Sequence, residues 1–221
     1  MSEQEILAKL QEAVEEMEPD AAKDAAEEAV KIGMDPIKAI TEGLAKGMKT
    51  MSDLFDEGEA FVPQLLVSAE AFETAVAVLT AGMTDEMKSK SSQGKVLIHT
   101  VSGDIHDIGK NIVKTMMSAN GFEVIDMGRD VPVEDVVAKA KAENVDIICG
   151  SALMTTTMPS QKEIIDLLKE EGIRDQFICM FGGAPVTKDW VEKIGADGYS
   201  ESATEAVEVA KALIAKKKGV A

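Results

Sequence analysis

The chain has 221 residues, of which 45% are hydrophobic and 29% are charged, a composition typical of soluble globular proteins. Its net charge of −17 argues against a nucleic-acid partner, because that surface repels phosphate groups. No apolar run approaches the roughly 20 residues that a membrane helix needs, and the acidic N-terminus lacks the basic flank of a signal peptide. We therefore expect a cytoplasmic protein that does not associate with membranes.

The first part of the chain has apolar residues at the spacing of four amphipathic helices. Their expected limits are a first helix ending at Pro19, a second stopping before Gly33, a third from Pro36 to Gly58, and a fourth beginning at Pro63. Such helices, joined by short turns, bury their apolar stripes only against one another. This pattern predicts a four-helix bundle domain over residues 1–88. The polar segment 85–94 is predicted to be a linker.

After Gly94 the apolar pattern changes to short strands that alternate with helices. The predicted strands are 95–101, 122–128, 145–151, 176–183 and a weaker 196–201. The predicted helices are about 109–120, 133–143, 159–171, 187–194 and 203–217. This alternation predicts an α/β domain over residues 92–221, with a flavodoxin-like five-stranded parallel sheet in the order 2-1-3-4-5. In such sheets a ligand binds beyond the carboxyl ends of the strands, between the first and the third.

The loop after the first predicted strand carries a histidine between two aspartates. His106 follows Asp104 by two residues and precedes Asp107. A metal-bound imidazole usually donates its other ring N–H to a carboxylate. One histidine is too few for a structural zinc site, but it suits a metal that brings its own equatorial ligands, as in a tetrapyrrole or corrin. Gly103 and Gly109 leave space for a flat macrocycle. The alternative is a capped turn with a surface histidine.

Two further loops lie at the same predicted edge. The hydroxyl residues Ser151, Thr155, Thr156 and Thr157 either cap the next helix or hydrogen-bond a polar ligand tail. The pair Gly182-Gly183 is either a tight turn or a place where backbone touches a ligand. His99 lies within the first strand, where we expect a core histidine with its hydrogen bonds satisfied. Cys149 and Cys179 are expected to be buried structural thiols.

The segment Asp104-Ile105-His106-Asp107-Ile108-Gly109 resembles the D-x-H-x-x-G signature of base-off, His-on cobalamin proteins. Ser151-Ala152-Leu153 and Gly182-Gly183 follow at the spacings of that family, which includes the cobalamin module of methionine synthase. The segment from Glu59 to Gln64 is similar to the helical cap of methyl-carrying modules. Residues 150–158 and 180–186 resemble the corrinoid proteins of methylamine methyltransferase systems.

The resemblance implies a Rossmann-type cobalamin-binding domain with a helical cap, and a role for each matching residue. His106 would be the axial ligand of cobalt, Asp104 would hold its ring, and Thr157 would stand where methionine synthase has a serine. Phe61 would cover the upper face of the corrin. The residues that would contact the cofactor in addition to these are Gly103, Ile105, Asp107, Ile108, Gly109, Ser151, Leu153, Thr155, Gly182 and Gly183.

By the same resemblance the protein is a methyl carrier rather than a catalyst on its own. A methyltransferase specific for a methylated amine would place a methyl group on Co(I), and a second methyltransferase would pass it from methyl-Co(III) to coenzyme M or tetrahydrofolate. A reductive activase would restore oxidised cobalt. The alternatives are a cobalamin-binding mutase subunit and a cobalamin-sensing regulator. The sequence leaves the amine open among trimethylamine, dimethylamine, monomethylamine and quaternary amines.

Overall fold

The computed structural model describes residues 2–81 and 92–219. The chain divides into two compact units. The first consists of Met1–Ser92 with Ser118–Gly121, and the second of Gln93–Met117 with Phe122–Ala221. The predicted linker lies outside the described residues except for 92–94. The boundary between the domains at residues 88 and 92 therefore stays a prediction.

The first unit is a helical bundle, as the sequence predicts. Its helices are α1 (Glu3–Glu15), α2 (Pro19–Lys31), α3 (Pro36–Ala39), α4 (Ala45–Asp56) and α5 (Val62–Thr80). A capping box begins α1, in which the Ser2 hydroxyl accepts the Glu5 N–H and the Glu5 carboxylate accepts the Ser2 N–H. The largest fully buried apolar side chains of the bundle are Phe72, Ile6, Leu10, Leu44, Met48 and Leu65.

The third predicted helix contains a π-helical turn, Ile40–Leu44, between α3 and α4. The sequence predicts one uninterrupted helix here. Two glycines pack this region closely against α1: a Cβ at Gly43 would lie 3.0 Å from the Leu10 Cβ, and one at Gly47 would lie 2.5 Å from the Gln11 carbonyl oxygen. The wider turn accommodates an extra residue, while Gly43 in the turn and Gly47 in α4 both stay against α1.

Helix α5 corrects one expectation from composition. It is the one helix among the described residues that is long and apolar enough to cross a membrane, with a mean hydropathy of 1.4 over its best 18-residue window. Glu70 and Glu73 interrupt the apolar residues of this helix, so no uninterrupted apolar run is visible in the sequence. The two glutamates lower the mean hydropathy of the helix only slightly. Phe72 and Leu79 of α5 are buried in the bundle, and a core helix of a soluble protein meets the same criterion.

The second unit is an α/β fold with a parallel sheet, which confirms the predicted fold class. Its strands are β1 (Gly94–Thr100), β2 (Phe122–Asp126), β3 (Ile147–Ser151) and β4 (Ile178–Gly182), in the order β2-β1-β3-β4. Its helices are α6 (Ile108–Ala119), α7 (Val133–Glu143), α8 (Pro159–Glu170), α9 (Lys188–Ile194) and α10 (Ala203–Lys217). The predicted fifth strand is reduced to a single bridge between Met180 and Gly198 within the described residues.

The register of the sheet brings the three predicted ligand loops to one edge. Thr100 at the end of β1 pairs with Ser151 at the end of β3, and Ser151 pairs with Gly182 at the end of β4. The loops that follow these residues therefore begin side by side. Cys149 and Cys179 lie within the sheet, where burial raises the pKa of each thiol to about 12, as expected of inert structural cysteines.

Candidate functional site

His106 and Asp104 form a hydrogen-bonded pair in the loop between β1 and α6. The Nδ1 atom of His106 lies 2.8 Å from Oδ1 of Asp104, and the His106 backbone N–H donates to the same oxygen at 3.0 Å. The Asp104 side chain is fully buried, whereas the His106 side chain is 46% exposed. Within the described part of the chain, Nε2 of His106 makes no hydrogen bond. The pair thus fixes the ring and leaves its second nitrogen accessible.

The second carboxylate oxygen of Asp104 is held by the loop that follows β3. Oδ2 accepts the Thr157 hydroxyl at 2.8 Å, the Leu153 N–H at 2.8 Å and the Met154 N–H at 3.3 Å. Burial alone raises the pKa of a carboxyl group. Here the hydrogen bonds donated by His106, Thr157 and Leu153 outweigh burial and hold the pKa of Asp104 well below its usual range. Asp104 is therefore an ionised acceptor that binds the two loops together.

A third loop, between β2 and α7, forms hydrogen bonds with the backbone of Gly103 and Asp104. The Asp130 N–H donates to the Asp104 carbonyl oxygen at 2.9 Å, and Oδ1 of Asp130 accepts the Gly103 N–H at 2.7 Å. The Thr100 hydroxyl contacts the His106 carbonyl oxygen at 3.2 Å. Sequence reasoning missed Asp130, because the only local signal is an aspartate two residues before a proline. Its contacts depend on the pairing of β1 with β2.

A buried ion pair anchors the start of α6, directly after the histidine loop. Lys110 is 2% exposed, and its Nζ donates to Asp126 and to Asn111, each at 2.7 Å. Burial opposes ionisation of Asp126, but its hydrogen bond from Lys110 lowers its pKa. A buried lysine needs such partners to remain charged. Sequence reasoning also missed this pair, whose members are far apart along the chain.

A buried glutamine ties the ends of β3 and β4 together. Nε2 of Gln161 donates to the carbonyl oxygens of Gly150 and Gly182, both at 3.1 Å, and its Oε1 accepts the Trp190 indole N–H at 2.9 Å. Beside it, the backbone of Gly183 packs against Ala152, where a Cβ would lie 1.8 Å from the Ala152 carbonyl oxygen. The predicted glycine pair is therefore a fixed turn at the site edge.

The other predicted site residues surround this network with apolar and open surface. Ile105 is 62% exposed, Ile108 is 78% exposed and Leu153 is 44% exposed. Apart from the neighbouring residues in the chain and the backbone of the helix that contains Gly109, no described atom lies within 4 Å of an ideal Cβ at Gly109 or Gly182. The Asp107 carbonyl oxygen accepts the Asn111 N–H as α6 begins. Ser151 is partly exposed, and Thr155 is exposed.

Two further residues singled out in the sequence make no hydrogen bond in this network among the described residues. Phe61 belongs to the helical unit, immediately before α5, and its side chain is 65% exposed. His99 is fully buried in β1, but neither ring nitrogen has a hydrogen-bond partner among the described residues, so the expected satisfied core histidine is wrong in that respect. Burial lowers the pKa of His99 to about 4.

Comparison with known proteins identifies the family. A B12 binding domain family matches residues 94–208, and a second B12 binding domain family matches residues 6–80. Trimethylamine corrinoid protein 1 of Methanosarcina acetivorans is 46% identical over 96% of this chain and 99% of its own length. The chain belongs to the corrinoid proteins of methylamine methyltransferase systems.

Other similarities agree with membership of this corrinoid protein family. Dimethylamine corrinoid protein 1 of Methanosarcina acetivorans is 47% identical, over 97% of this chain and 100% of its own length. The crystal structure of the methanol:cobalamin methyltransferase complex from Methanosarcina barkeri contains a chain that is 37% identical, with a TM-score of 0.83. That match covers 97% of this chain and 81% of the other. The cofactor of the family is cobalamin or a related corrinoid.

The residues at the sheet edge fit such a cofactor. Among the described residues no group of three or more His, Cys, Asp or Glu side chains is arranged to hold a metal ion, so a metal here must bring most of its own ligands. His106 offers one oriented, accessible nitrogen. The exposed Ile105, Ile108 and Leu153 provide apolar surface, and the open space at Gly109 and Gly182 lets a large planar ligand approach the backbone.

Proposed function

We propose that this corrinoid protein carries methyl groups on a cobalamin whose cobalt is ligated by Nε2 of His106. The bound cofactor supplies a cobalt that accepts and releases a methyl group. The observation that carries this proposal is the half-exposed His106 ring, held through Nδ1 by the fully buried Asp104 carboxylate. The carboxylate fixes the tautomer that leaves the lone pair at Nε2, the arrangement usual for metal-binding histidines.

The remaining residues of the site act on this pair or offer surface to the cofactor. Thr157 and the Leu153 N–H keep Asp104 ionised and in place, so that its carboxylate accepts the hydrogen bond of the His106 ring in a fixed position. The pair would hold a proton at Nδ1, between the His106 ring and the Asp104 carboxylate. We assign the nucleotide tail of the cofactor to the edge formed by Ser151, Thr155 and Gly182, and its corrin ring to the surface formed by Gly103, Ile105, Asp107, Ile108 and Gly109.

The methyl donor in this proposal is a methylated amine, and the transfer is performed by partner enzymes. Relatives named for trimethylamine and for dimethylamine have nearly equal identity to this chain, 46% and 47%, so identity does not separate the two amines. The partners we propose are an amine-specific methyltransferase, a second methyltransferase that uses coenzyme M or tetrahydrofolate, and a reductive activase. These reactions would take place in the cytoplasm.

The ligand assignment is tested by electron paramagnetic resonance of the Co(II) form. One nitrogen ligand splits each cobalt line into three, and we expect that splitting in the wild type. His106→Ala should remove it while cobalamin remains bound through the rest of the site. Splitting that survives this substitution would overturn the assignment of His106.

The amine is identified by presenting the reduced, cobalamin-loaded protein to methyltransferases specific for trimethylamine, dimethylamine and monomethylamine. Each reaction contains only its own amine, and methylation is followed by the visible absorbance of the cofactor. We expect rapid methylation with one of the three enzymes. Equal, slow rates with all three would contradict these three amines as donors and would leave a quaternary amine as the remaining methylated amine.

A further inference from the structure

Asp130 connects the loop between β2 and α7 to the two residues that precede the histidine segment. Its backbone N–H donates to the Asp104 carbonyl oxygen at 2.9 Å, and its Oδ1 accepts the Gly103 N–H at 2.7 Å. These two hydrogen bonds run in opposite directions, one from the N–H of the peptide group before Gly103 and one to the carbonyl oxygen of the peptide group after Asp104. Together they restrain both the position and the tilt of the backbone at Gly103 and Asp104.

The conformation of Asp130 is one that its surroundings impose. Its φ of 55° is left-handed, which is uncommon for a residue other than glycine, although aspartate tolerates it better than most. The flanking residues are tied to the end of β1, because the Val131 N–H donates to the Thr100 carbonyl oxygen and the Thr100 N–H donates to the Gly128 carbonyl oxygen. A strained residue held in this way often serves a site.

Asp104 is thus held at two places by two different loops. The loop after β3 holds its carboxylate through Leu153 and Thr157, and Asp130 holds its backbone. Gly103 has a φ of 79° and no side chain that could restrict its rotation. Without Asp130 the Gly103 N–H would lose its acceptor and the Asp104 carbonyl oxygen would lose its donor, so that the Asp104 N–H, which donates to the Val101 carbonyl oxygen at 3.1 Å, would be the main remaining backbone restraint. The carboxylate oxygen that receives both hydrogen bonds from His106 would then shift.

We propose that Asp130 is a positioning residue that sets how His106 is presented to the cofactor's metal. The inference rests on the proposed role of His106 as the axial ligand. Among the described residues Asp130 has no hydrogen bond to His106, and in this proposal it does not contact the cofactor. It acts through the backbone of Gly103 and Asp104.

Two substitutions separate the hydrogen bond from the strain. Asp130→Gly removes the acceptor for Gly103, keeps the N–H that donates to Asp104, and relieves the left-handed strain. Asp130→Asn keeps an acceptor oxygen and a side chain that tolerates the left-handed region. We therefore expect Asp130→Gly to disturb the histidine loop without loss of thermal stability, and Asp130→Asn to behave like the wild type.

The first measurement uses the protein without cofactor. Amide hydrogen exchange is followed at His106 and Leu153, whose N–H groups both donate to the Asp104 carboxylate. We expect about 5-fold faster exchange at both amides in Asp130→Gly, the size of one lost hydrogen bond. The second measurement uses full-length protein loaded with cobalamin. We expect weaker nitrogen splitting in the Co(II) spectrum and an about 5-fold higher dissociation constant for cobalamin.

Matched controls come from the opposite edge of the sheet. Asn144 also has a left-handed φ, of 50°, at the end of α7, so Asn144→Gly repeats the relief of strain. The Asp146 carboxylate accepts the Lys95 N–H at 2.9 Å, so Asp146→Ala repeats the loss of a backbone hydrogen bond. Both variants should keep the wild-type exchange at His106 and the wild-type cobalt spectrum.

Wild-type exchange and a wild-type spectrum in Asp130→Gly would overturn the inference. Faster exchange with an unchanged Co(II) spectrum would also overturn it. Asp130 would then restrain the loop without affecting how His106 binds the metal. Failure of the proposed function gives a different result. In that case His106→Ala retains the nitrogen splitting, whatever Asp130→Gly does, and there is no axial ligand for Asp130 to position.

Discussion

At the scale of single residues, both oxygens of the Asp104 carboxylate accept more than one hydrogen bond. Oδ1 accepts two N–H groups of His106, and Oδ2 accepts donors from Leu153, Met154 and Thr157. Asp104→Asn replaces one oxygen by an NH₂ group that faces donors. If that group faces His106, the ring must accept at Nδ1 and carry its proton on Nε2, the nitrogen proposed to bind cobalt.

We therefore expect Asp104→Asn to bind cobalamin about 10- to 100-fold more weakly, and to lose about 1–3 kcal/mol of unfolding free energy from unpaired buried groups. Titration with cobalamin and thermal unfolding measure the two effects. Asp146→Asn, at the other edge of the sheet, is the control and should keep the wild-type affinity. An Asp104→Asn protein with lower stability but unchanged affinity would show that Asp104 only caps the turn.

His99 predicts a pH dependence of stability. Burial, aided by the positive charge of Lys110, lowers the pKa of His99 from 6.5 to about 4. The unfolded chain therefore takes up a proton near pH 6.5, whereas the folded protein does not until the pH approaches 4. Above pH 6.5 the neutral ring makes its full contribution to the unfolding free energy. This contribution is lost as the pH falls toward 4, by about 3 kcal/mol.

Urea unfolding of wild type and His99→Leu at several pH values between 7.5 and 4 isolates this contribution, since leucine does not titrate. As the pH falls, the unfolding free energy of the wild type should decrease more than that of His99→Leu. A difference that is constant across the range would show that the His99 ring is protonated, or hydrated, in the folded protein.

The sequence predicts the three loops that meet at one edge of the sheet, but the one side-chain contact that can be inferred from local spacing alone is that between Asp104 and His106. Asp104 and His106 are two residues apart, so their contact is contained in one segment. Asp130 and Gln161 contact the site through backbone groups of distant residues. Backbone groups have no residue type to recognise, and the pairing of strands must be known before such contacts can be inferred.

At the scale of elements, Gly182, the last residue of β4, and Gly183, which follows it, differ in the space around them. A Cβ at Gly182 meets no atom within 4 Å, whereas one at Gly183 would lie 1.8 Å from the Ala152 carbonyl oxygen, at a φ of 122°. Gly183→Ala should therefore lose on the order of 3 kcal/mol or more of unfolding free energy, because overpacking and backbone strain add. Gly182→Ala should fold with wild-type stability.

The pair also tests whether this edge receives the cofactor. If the open space at Gly182 is occupied by part of the bound corrinoid, Gly182→Ala should weaken cobalamin binding although the protein unfolds at the wild-type temperature. Affinity is measured by titration, and stability by a thermal melt of the cofactor-free protein. Unchanged affinity in Gly182→Ala would remove this glycine from the proposed cofactor site.

The helices and four of the strands of the α/β unit lie close to the ranges predicted from the sequence, because the spacing of their apolar residues indicates the type of element. The fifth predicted strand does not form as such among the described residues. Its centre is Gly198, where a Cβ would lie 2.8 Å from both Met180 and Leu213. The glycine permits close packing there but gives the segment no β-propensity. The π turn at Ile40–Leu44 likewise depends on contacts with α1 that the helical spacing does not reveal.

At the scale of the whole molecule, all the hydrogen bonds that hold Asp104, His106 and Asp130 lie within the α/β unit. Of the described residues in the helical unit, none takes part in them. Its one predicted site residue is Phe61, which stands on the surface of that unit. Sequence resemblance predicts that this side chain covers the upper face of the corrin, so the two units would have different tasks: one binds the cofactor and the other protects it.

Two phenylalanines of the helical unit allow that division to be tested in the full chain. Phe61 is 65% exposed, whereas Phe72 of α5 is 2% exposed and belongs to the bundle core. Phe61→Ala should change the unfolding free energy by no more than about 0.5 kcal/mol, while Phe72→Ala should lose about 3–5 kcal/mol. If Phe61 covers the corrin, Phe61→Ala loaded with methylcobalamin should photolyse faster than the wild type under the same illumination, as measured by absorbance. The conservative variant Phe61→Leu, which keeps an apolar cover, should lie between the two. A photolysis rate in Phe61→Ala equal to that of the wild type would show that this side chain does not protect the cobalt–carbon bond.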